Sequence, residues 1–157
     1  MNQKRYNIKG GLYLVVDPSM QFDNLLAKIE SALKGGIDVL QIWNHWNEKA
    51  DKISIIQSIV ELVHQYDVPV IINENIALLD VTDLDGIHFD NIPQNFEELK
   101  SQIKTNTIIG ITCGNDFDKI QWAIDQGLDY ISFCSVFPSR SVNTCDLVNK
   151  EMIYKAR

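Results

Sequence analysis

The chain is poor in cysteine: Cys113, Cys134 and Cys145 are the only three among 157 residues, and none has C-x-x-C spacing. An odd count without paired spacing excludes a disulfide framework and a cysteine-built zinc site, so all three read as free thiols. Long apolar runs are missing too. No stretch reaches the roughly 18 residues of a membrane-spanning helix, and the opening Met1-Asn-Gln-Lys-Arg-Tyr6 lacks the apolar centre of a secretion signal. A cytoplasmic protein with no membrane contact is expected. The third shortage is positive charge: 14 Lys and Arg stand against 21 Asp and Glu, a net charge of −7. The basic residues form no stripe, which excludes nucleic acid as a partner.

What is present is a 45% hydrophobic composition, enough for one sizeable core, and no linker or composition shift that would divide residues 1–157 into two domains. Six short apolar runs stand out: Gly11-Leu-Tyr-Leu-Val-Val-Asp17, Asp38-Val-Leu-Gln-Ile-Trp43, Val68-Pro-Val-Ile-Ile-Asn73, Asp85-Gly-Ile-His-Phe89, Thr107-Ile-Ile-Gly-Ile-Thr112 and Asp129-Tyr-Ile-Ser-Phe-Cys-Ser-Val-Phe137. Strands this uniformly apolar are buried on both faces, as in parallel sheets with helical crossovers. Between them the period turns helical. Phe22, Leu25, Leu26, Ile29 and Leu33 stripe one helix before Gly35-Gly36; Ile55, Ile56, Ile59, Val60 and Val63 stripe a second. The third crossover, from Glu74 to Leu84, has room only for a short helix. Phe96, Leu99 and Ile103 mark a fourth, opened by Pro93, and Phe117, Ile120 and Ile124 a fifth that closes at Gly127. Glu151-Met-Ile-Tyr-Lys-Ala-Arg157 reads as the start of a sixth.

In parallel α/β folds the carboxyl ends of the strands carry the site, which singles out Gln41, Asn73, His88, Thr112 and Ser135. Two architectures accommodate the pattern. One is a flavodoxin-like doubly wound sheet, complete in five or six strands. The other is a TIM-barrel (β/α)8-type fold that stops after about six units, since a closed barrel takes at least about 200 residues. The second leaves a strand edge exposed, and self-association into a homo-oligomer is expected from it.

The order of motifs favours the barrel. Leu12-Tyr-Leu-Val-Val-Asp17, Ala32-Leu-Lys-Gly-Gly-Ile-Asp-Val-Leu-Gln41, Val68-Pro-Val-Ile-Ile-Asn73, Asp85-Gly-Ile-His88, Ile108-Ile-Gly-Ile-Thr112, and Gly127-Leu-Asp-Tyr-Ile131 through Val136-Phe-Pro-Ser139 resemble the thiamine-phosphate synthase and TenI family, in order and with fitting spacing. The resemblance implies a (β/α)8 barrel missing its C-terminal units. It also implies the joining of a hydroxymethylpyrimidine diphosphate to a thiazole phosphate with loss of pyrophosphate, aided by Mg2+. Departing pyrophosphate demands cations, a metal and hydrogen-bond donors where its charge develops.

Carried over position by position, the resemblance implies catalytic roles for Gln41, Asn73 and Thr112, with Glu74 and Asp90 as the metal-binding carboxylates. It implies substrate contacts from Tyr13, Trp43, His45, His88, Ser135, Ser139, Arg140 and Ser141. Trp43 and His45 stand where the synthases place Arg and Lys. Losing two charge-assisted contacts forfeits roughly 3–6 kcal/mol if both act in the transition state, although the imidazole of His45 offers a partial replacement. The loop after His88 is about two residues short of the family's pattern, Val142 replaces a Lys, and Gly114 replaces the His that transfers a proton in TenI. A synthase-like protein with weak or altered turnover is therefore expected. The competing reading is an inactive family member that binds a phosphorylated ligand or a partner.

Overall fold

The computed structural model describes residues 6–138 and 147–156. Ser139, Arg140, Ser141, Val142 and Cys145 lie outside the described residues. The elements alternate along the chain: β1 (Tyr13–Val16), α1 (Phe22–Gly35), β2 (Val39–Ile42), α2 (Lys52–His64), β3 (Val70–Asn73), α3 (Ala77–Val81), β4 (Gly86–Phe89), α4 (Phe96–Gln102), β5 (Ile108–Thr112), α5 (Phe117–Gln126), β6 (Tyr130–Ser132) and α6 (Lys150–Lys155). All six strands are parallel and pair in chain order, β1-β2-β3-β4-β5-β6. A doubly wound sheet reverses its strand order at a switch point. This one never does, so the flavodoxin-like alternative falls.

The sheet is curled into a half-barrel. Five inter-strand gaps of about 4.8 Å would hold the edges of a flat sheet about 24 Å apart, yet the hydroxyls of Tyr13 on β1 and Tyr130 on β6 meet at 2.7 Å. Side chains alternate between the two faces. Leu40, Ile42, Val70, Ile72, Ile87, Phe89, Ile109 and Ile111 point outward against Leu25, Ile29, Ile56, Ile59, Val63 and Ile120 of the helices, forming the main core. Each fully buried Ile or Leu there contributes about 1.5–3 kcal/mol. The inner face has a smaller apolar floor of Val39, Ile71 and Ile108, covered by Tyr6, Ile8 and the Tyr130 ring.

Helix ends follow local chemistry. Asp51 and Asp116 cap α2 and α5 by accepting from the Ser54 and Lys119 amides. Gly36 and Gly127 end α1 and α5 in the left-handed region. Strand starts obey a recurring rule. The amides of Asp38, Asp85 and Asp129 donate to the carbonyls of Leu12, Val70 and Ile109, while their carboxylates accept from the amides of those same residues at 2.7–2.8 Å. An acidic residue at the lower end of three strands thus clamps each to its predecessor.

Some expectations need correction. Only β2 to β5 have strongly buried faces; β1 and β6 are edges, with Val15 52% exposed. The sixth strand ends at Ser132 rather than running to Phe137. Pro93 stands before α4, whose cap position is Asn95, and Ile124 faces solvent because only Ile120 and Ala123 of α5 are buried. Among the described residues, no helix is long and apolar enough to cross a membrane.

Candidate functional site

The period-2 alternation that sends aliphatic residues outward sends Tyr13, Gln41, Asn73, His88, Thr112, Tyr130 and Ser132 to the inner face. Gln41 and His88 are almost fully buried there. Tyr13 donates its hydroxyl proton to Gln41 Oε1 at 2.6 Å, and Tyr130 contacts both the Tyr13 hydroxyl at 2.7 Å and His88 Nδ1 at 2.9 Å. On its other side, His88 Nε2 meets Thr112 Oγ1 at 2.8 Å, which lies 3.0 Å from Ser132 Oγ. Burial outweighs the attraction of the Asp90 carboxylate and pushes His88 down to about 4, so the imidazole is neutral at physiological pH. Burial likewise drives the Tyr13 and Tyr130 phenols well above their ordinary range.

Tyr130 owes its place to Gly110, its register partner on β5. A Cβ on residue 110 would lie 2.1 Å from the phenol Cζ. The ring therefore rests against bare strand backbone and stacks beside His88, with centroids 5.6 Å apart.

At the rim, Asn73 is a buried tie between three strands. Its Oδ1 accepts from the Asn44 amide, and its Nδ2 donates to the His88 carbonyl and to Asp90 Oδ1. Glu74 follows with φ 63°, the left-handed region that costs a non-glycine residue roughly 1–2 kcal/mol. Such strain concentrates at functional sites. Its carboxylate accepts from the Asp90 amide, which ties the residue after β3 to the residue after β4.

Trp43 and His45 occupy the rim beyond β2, their rings 4.9 Å apart. His45 Nδ1 turns to Asp17 at 3.0 Å and lies 3.3 Å from Ser19 Oγ. Burial raises the Asp17 carboxyl, but hydrogen bonds from Ser19 and His45 outweigh it and leave the group below the usual range. Lys119 supplies a cation at this rim, with Nζ 3.2 Å from the Asp90 carbonyl and 2.9 Å from Asn91 Oδ1. The Ser135 hydroxyl is spent locally on the Phe137 carbonyl. Cys113 is buried against the helices, its thiol pushed up to about 11 by burial, which leaves little thiolate for proton transfer.

The structure thus brings Tyr13, Gln41, Asn73, His88 and Thr112 onto one face, with Glu74, Asp90, Trp43 and His45 on the adjoining rim. Sequence reasoning passed over Asp17, Lys119, Tyr130 and Ser132. A glycine inside an apolar strand signals close approach of another group, and Gly110 was that signal for Tyr130.

Residues 12–156 match the family TMP-TENI, thiamine monophosphate synthase. The thiamine-phosphate synthase of Aromatoleum aromaticum is 30% identical over 129 residues, covering 82% of this chain and 62% of that protein. The thiamine-phosphate synthase of Methanobrevibacter smithii is 29% identical over 145 residues, 92% of this chain and 69% of that protein. In structure, the thiamine phosphate pyrophosphorylase of Pyrococcus furiosus matches with a TM-score of 0.75 at 22% identity, over 93% of this chain and 68% of that one, a likeness that speaks for a TIM-barrel-like fold. This chain therefore spans only about two thirds of the length of these relatives. Since the family match runs through nearly all of its residues, the chain belongs to the thiamine monophosphate synthase family.

Proposed function

We propose that this chain is a thiamine-phosphate synthase-like protein of thiamine biosynthesis, binding a hydroxymethylpyrimidine diphosphate and a thiazole phosphate and releasing pyrophosphate with weak or altered turnover. The observation that supports it most is the convergence of Gln41, Asn73, His88 and Thr112, from four strands, on the inner face of one half-barrel. Gln41 and Thr112 are the residues proposed to meet substrate directly. Asn73, whose amide is committed to neighbouring strands, holds the rim in shape.

The donor set at Glu74 and Asp90 suits Mg2+, which takes one or two carboxylates and completes its octahedron with water and phosphate oxygens. Among the described residues no group of three ligating side chains exists, so a metal here would depend on phosphate for its remaining ligands. Bound there, it would neutralise charge on pyrophosphate oxygens. Lys119, anchored to the Asp90–Asn91 loop, is the cation placed to assist in the absence of Arg and Lys at positions 43 and 45.

We place the protein in the cytoplasm and expect the open edges of β1 and β6 to be covered in a homo-oligomer. The second reading, a ligand-binding module without turnover, is favoured by one observation: Trp43 and His45 pack as a tilted ring pair, with His45 bonded to Asp17, rather than forming a cationic pocket. Thermal unfolding with pyrophosphate, Mg2+ and thiazole phosphate separates the two. Ligand at 100 times its Kd stabilises by about 2.7 kcal/mol. Stabilisation by pyrophosphate that requires Mg2+, together with detectable product, supports the synthase. Mg2+-independent stabilisation without product supports the module.

A further inference from the structure

Inside the half-barrel the polar groups form one unbroken series, Gln41, Tyr13, Tyr130, His88, Thr112 and Ser132, with successive contacts of 2.6, 2.7, 2.9, 2.8 and 3.0 Å. Each hydroxyl has one proton to give, and a neutral imidazole has one N–H. The direction of every bond then follows from the first. Tyr13 gives its proton to Gln41 Oε1, so Tyr130 must donate to Tyr13. The Tyr130 oxygen then accepts from His88 Nδ1–H, and the bare Nε2 of His88 accepts from Thr112. Thr112 in turn accepts from Ser132. With the Gln41 amide turned over, Nε2 donates to Tyr13, and using both tyrosine protons then reverses the bonds as far as Thr112 with the hydrogen of His88 on Nε2, leaving one hydroxyl proton of the Thr112–Ser132 pair free.

We propose that this series is a proton-ordered relay, in which Tyr13 and Tyr130 are positioning residues that set the tautomer of His88 and couple Gln41 to the Thr112–Ser132 pair on the far side of the half-barrel. The coupling has a consequence for recognition. In the order with Oε1 facing Tyr13, Gln41 keeps its two N–H groups for a ligand, while Thr112 and Ser132 have only lone pairs left. In the reversed order Gln41 offers its Oε1 and one remaining N–H, and the Thr112–Ser132 pair has one hydroxyl proton free for an anionic oxygen. An anionic oxygen at the Thr112–Ser132 end therefore selects the reversed order and turns the Gln41 carbonyl toward the ligand.

Gly110 supports the same conclusion from a separate direction: β5 gives up a side chain where the hydroxyl-bearing end of the Tyr130 ring must pass. Both phenols are held protonated by burial, and at pH 8 an imidazole is neutral, so no link holds a spare proton.

The experiment reads the position of one proton in the ligand-free protein, so it succeeds or fails independently of any synthase activity. The chain is labelled with 15N-histidine and its imidazole nitrogens are recorded at pH 8. The signal of His88, one of three histidines, is assigned by its loss in His88→Asn. Tyr13→Phe touches neither nitrogen of His88, yet it leaves Tyr130 only His88 Nδ1 to donate to, and the hydrogen of His88 is expected on Nε2. Tyr130→Phe removes the acceptor of Nδ1–H and is expected to give the same tautomer. Gln41→Glu, an acceptor only, is expected to hold the hydrogen on Nδ1. If Gln41→Glu does not fold, Gln41→Met, of similar size and with a sulfur that accepts but cannot donate, takes its place with the same expectation. A merely structural tyrosine would not move the tautomer, so the same His88 tautomer in Tyr13→Phe and in Gln41→Glu, or in its substitute Gln41→Met, overturns the relay.

Discussion

Replacing Gly110 with alanine tests the half-barrel interior at its tightest point. The new Cβ would meet Cζ, Cε1 and Cε2 of Tyr130 at 2.1, 2.3 and 2.6 Å, distances no side chain tolerates. The obstacle is a ring edge held by two hydrogen bonds, to Tyr13 and to His88, so it has no free end to swing aside. The ring must shift by more than an ångström. Overpacking of this kind costs about 1–3 kcal/mol, and two broken internal hydrogen bonds add about 0.5–1.5 kcal/mol each, so Gly110→Ala is expected to destabilise by roughly 2–6 kcal/mol. Urea unfolding measures this directly, with the shift read at constant m-value. Gly35→Ala is the internal control. Gly35 is the last residue of α1, a Cβ there meets nothing within 4 Å, and alanine is favoured in a helix by up to about 1 kcal/mol. A Gly110→Ala protein less than about 1 kcal/mol weaker than wild type, with Tyr130 still bonded to His88, would refute the argument that β5 lacks a side chain to seat that ring.

Three other perturbations follow from the same geometry. His64 Nε2 lies 2.8 Å from the buried Asp85 carboxylate, and this hydrogen bond raises His64 above the ordinary imidazole value despite partial burial. The stability this pair adds is fully present below about pH 6.5 and is lost as pH rises through the raised folded value, so the gap between wild type and His64→Gln should narrow from pH 6 to pH 9 in chemical denaturation. Glu74→Gly relieves a left-handed strain of about 1–2 kcal/mol while removing a carboxylate; unfolding stability is expected to hold or rise while any Mg2+-dependent pyrophosphate binding falls, and retention of that binding would remove Glu74 from the metal site. The double substitution Trp43→Arg, His45→Lys adds two charge-assisted contacts of about 1.5–3 kcal/mol each at the rim; calorimetric affinity for pyrophosphate should rise at least tenfold, and an unchanged affinity would mean that these positions do not face the diphosphate.

Much of the architecture was legible in the order of residues. Apolar runs separated by helical stripes could only become a parallel sheet with crossovers, because uniformly apolar strands require cover on both faces. Gly36 and Gly127 ended their helices where a left-handed residue was needed, and Gln41, Asn73, His88 and Thr112 fell near strand carboxyl ends as that topology demands. Periodicity alone did not decide the strand order, since it serves a doubly wound sheet and a barrel alike, and the resemblance of the motifs had to choose the barrel; the order itself rests on pairing between segments and on how the sheet curls. The polar series was hidden for the same reason. Tyr13 and Tyr130 are 117 residues apart, and only curling plus the register of five strand pairs carries one hydroxyl to the other. Composition and spacing chose the side chains that could serve. Their meeting, and with it the chemistry of the interior, came from closure of the sheet, because hydrogen bonds act over about 3 Å and local sequence controls nothing at that precision between distant strands.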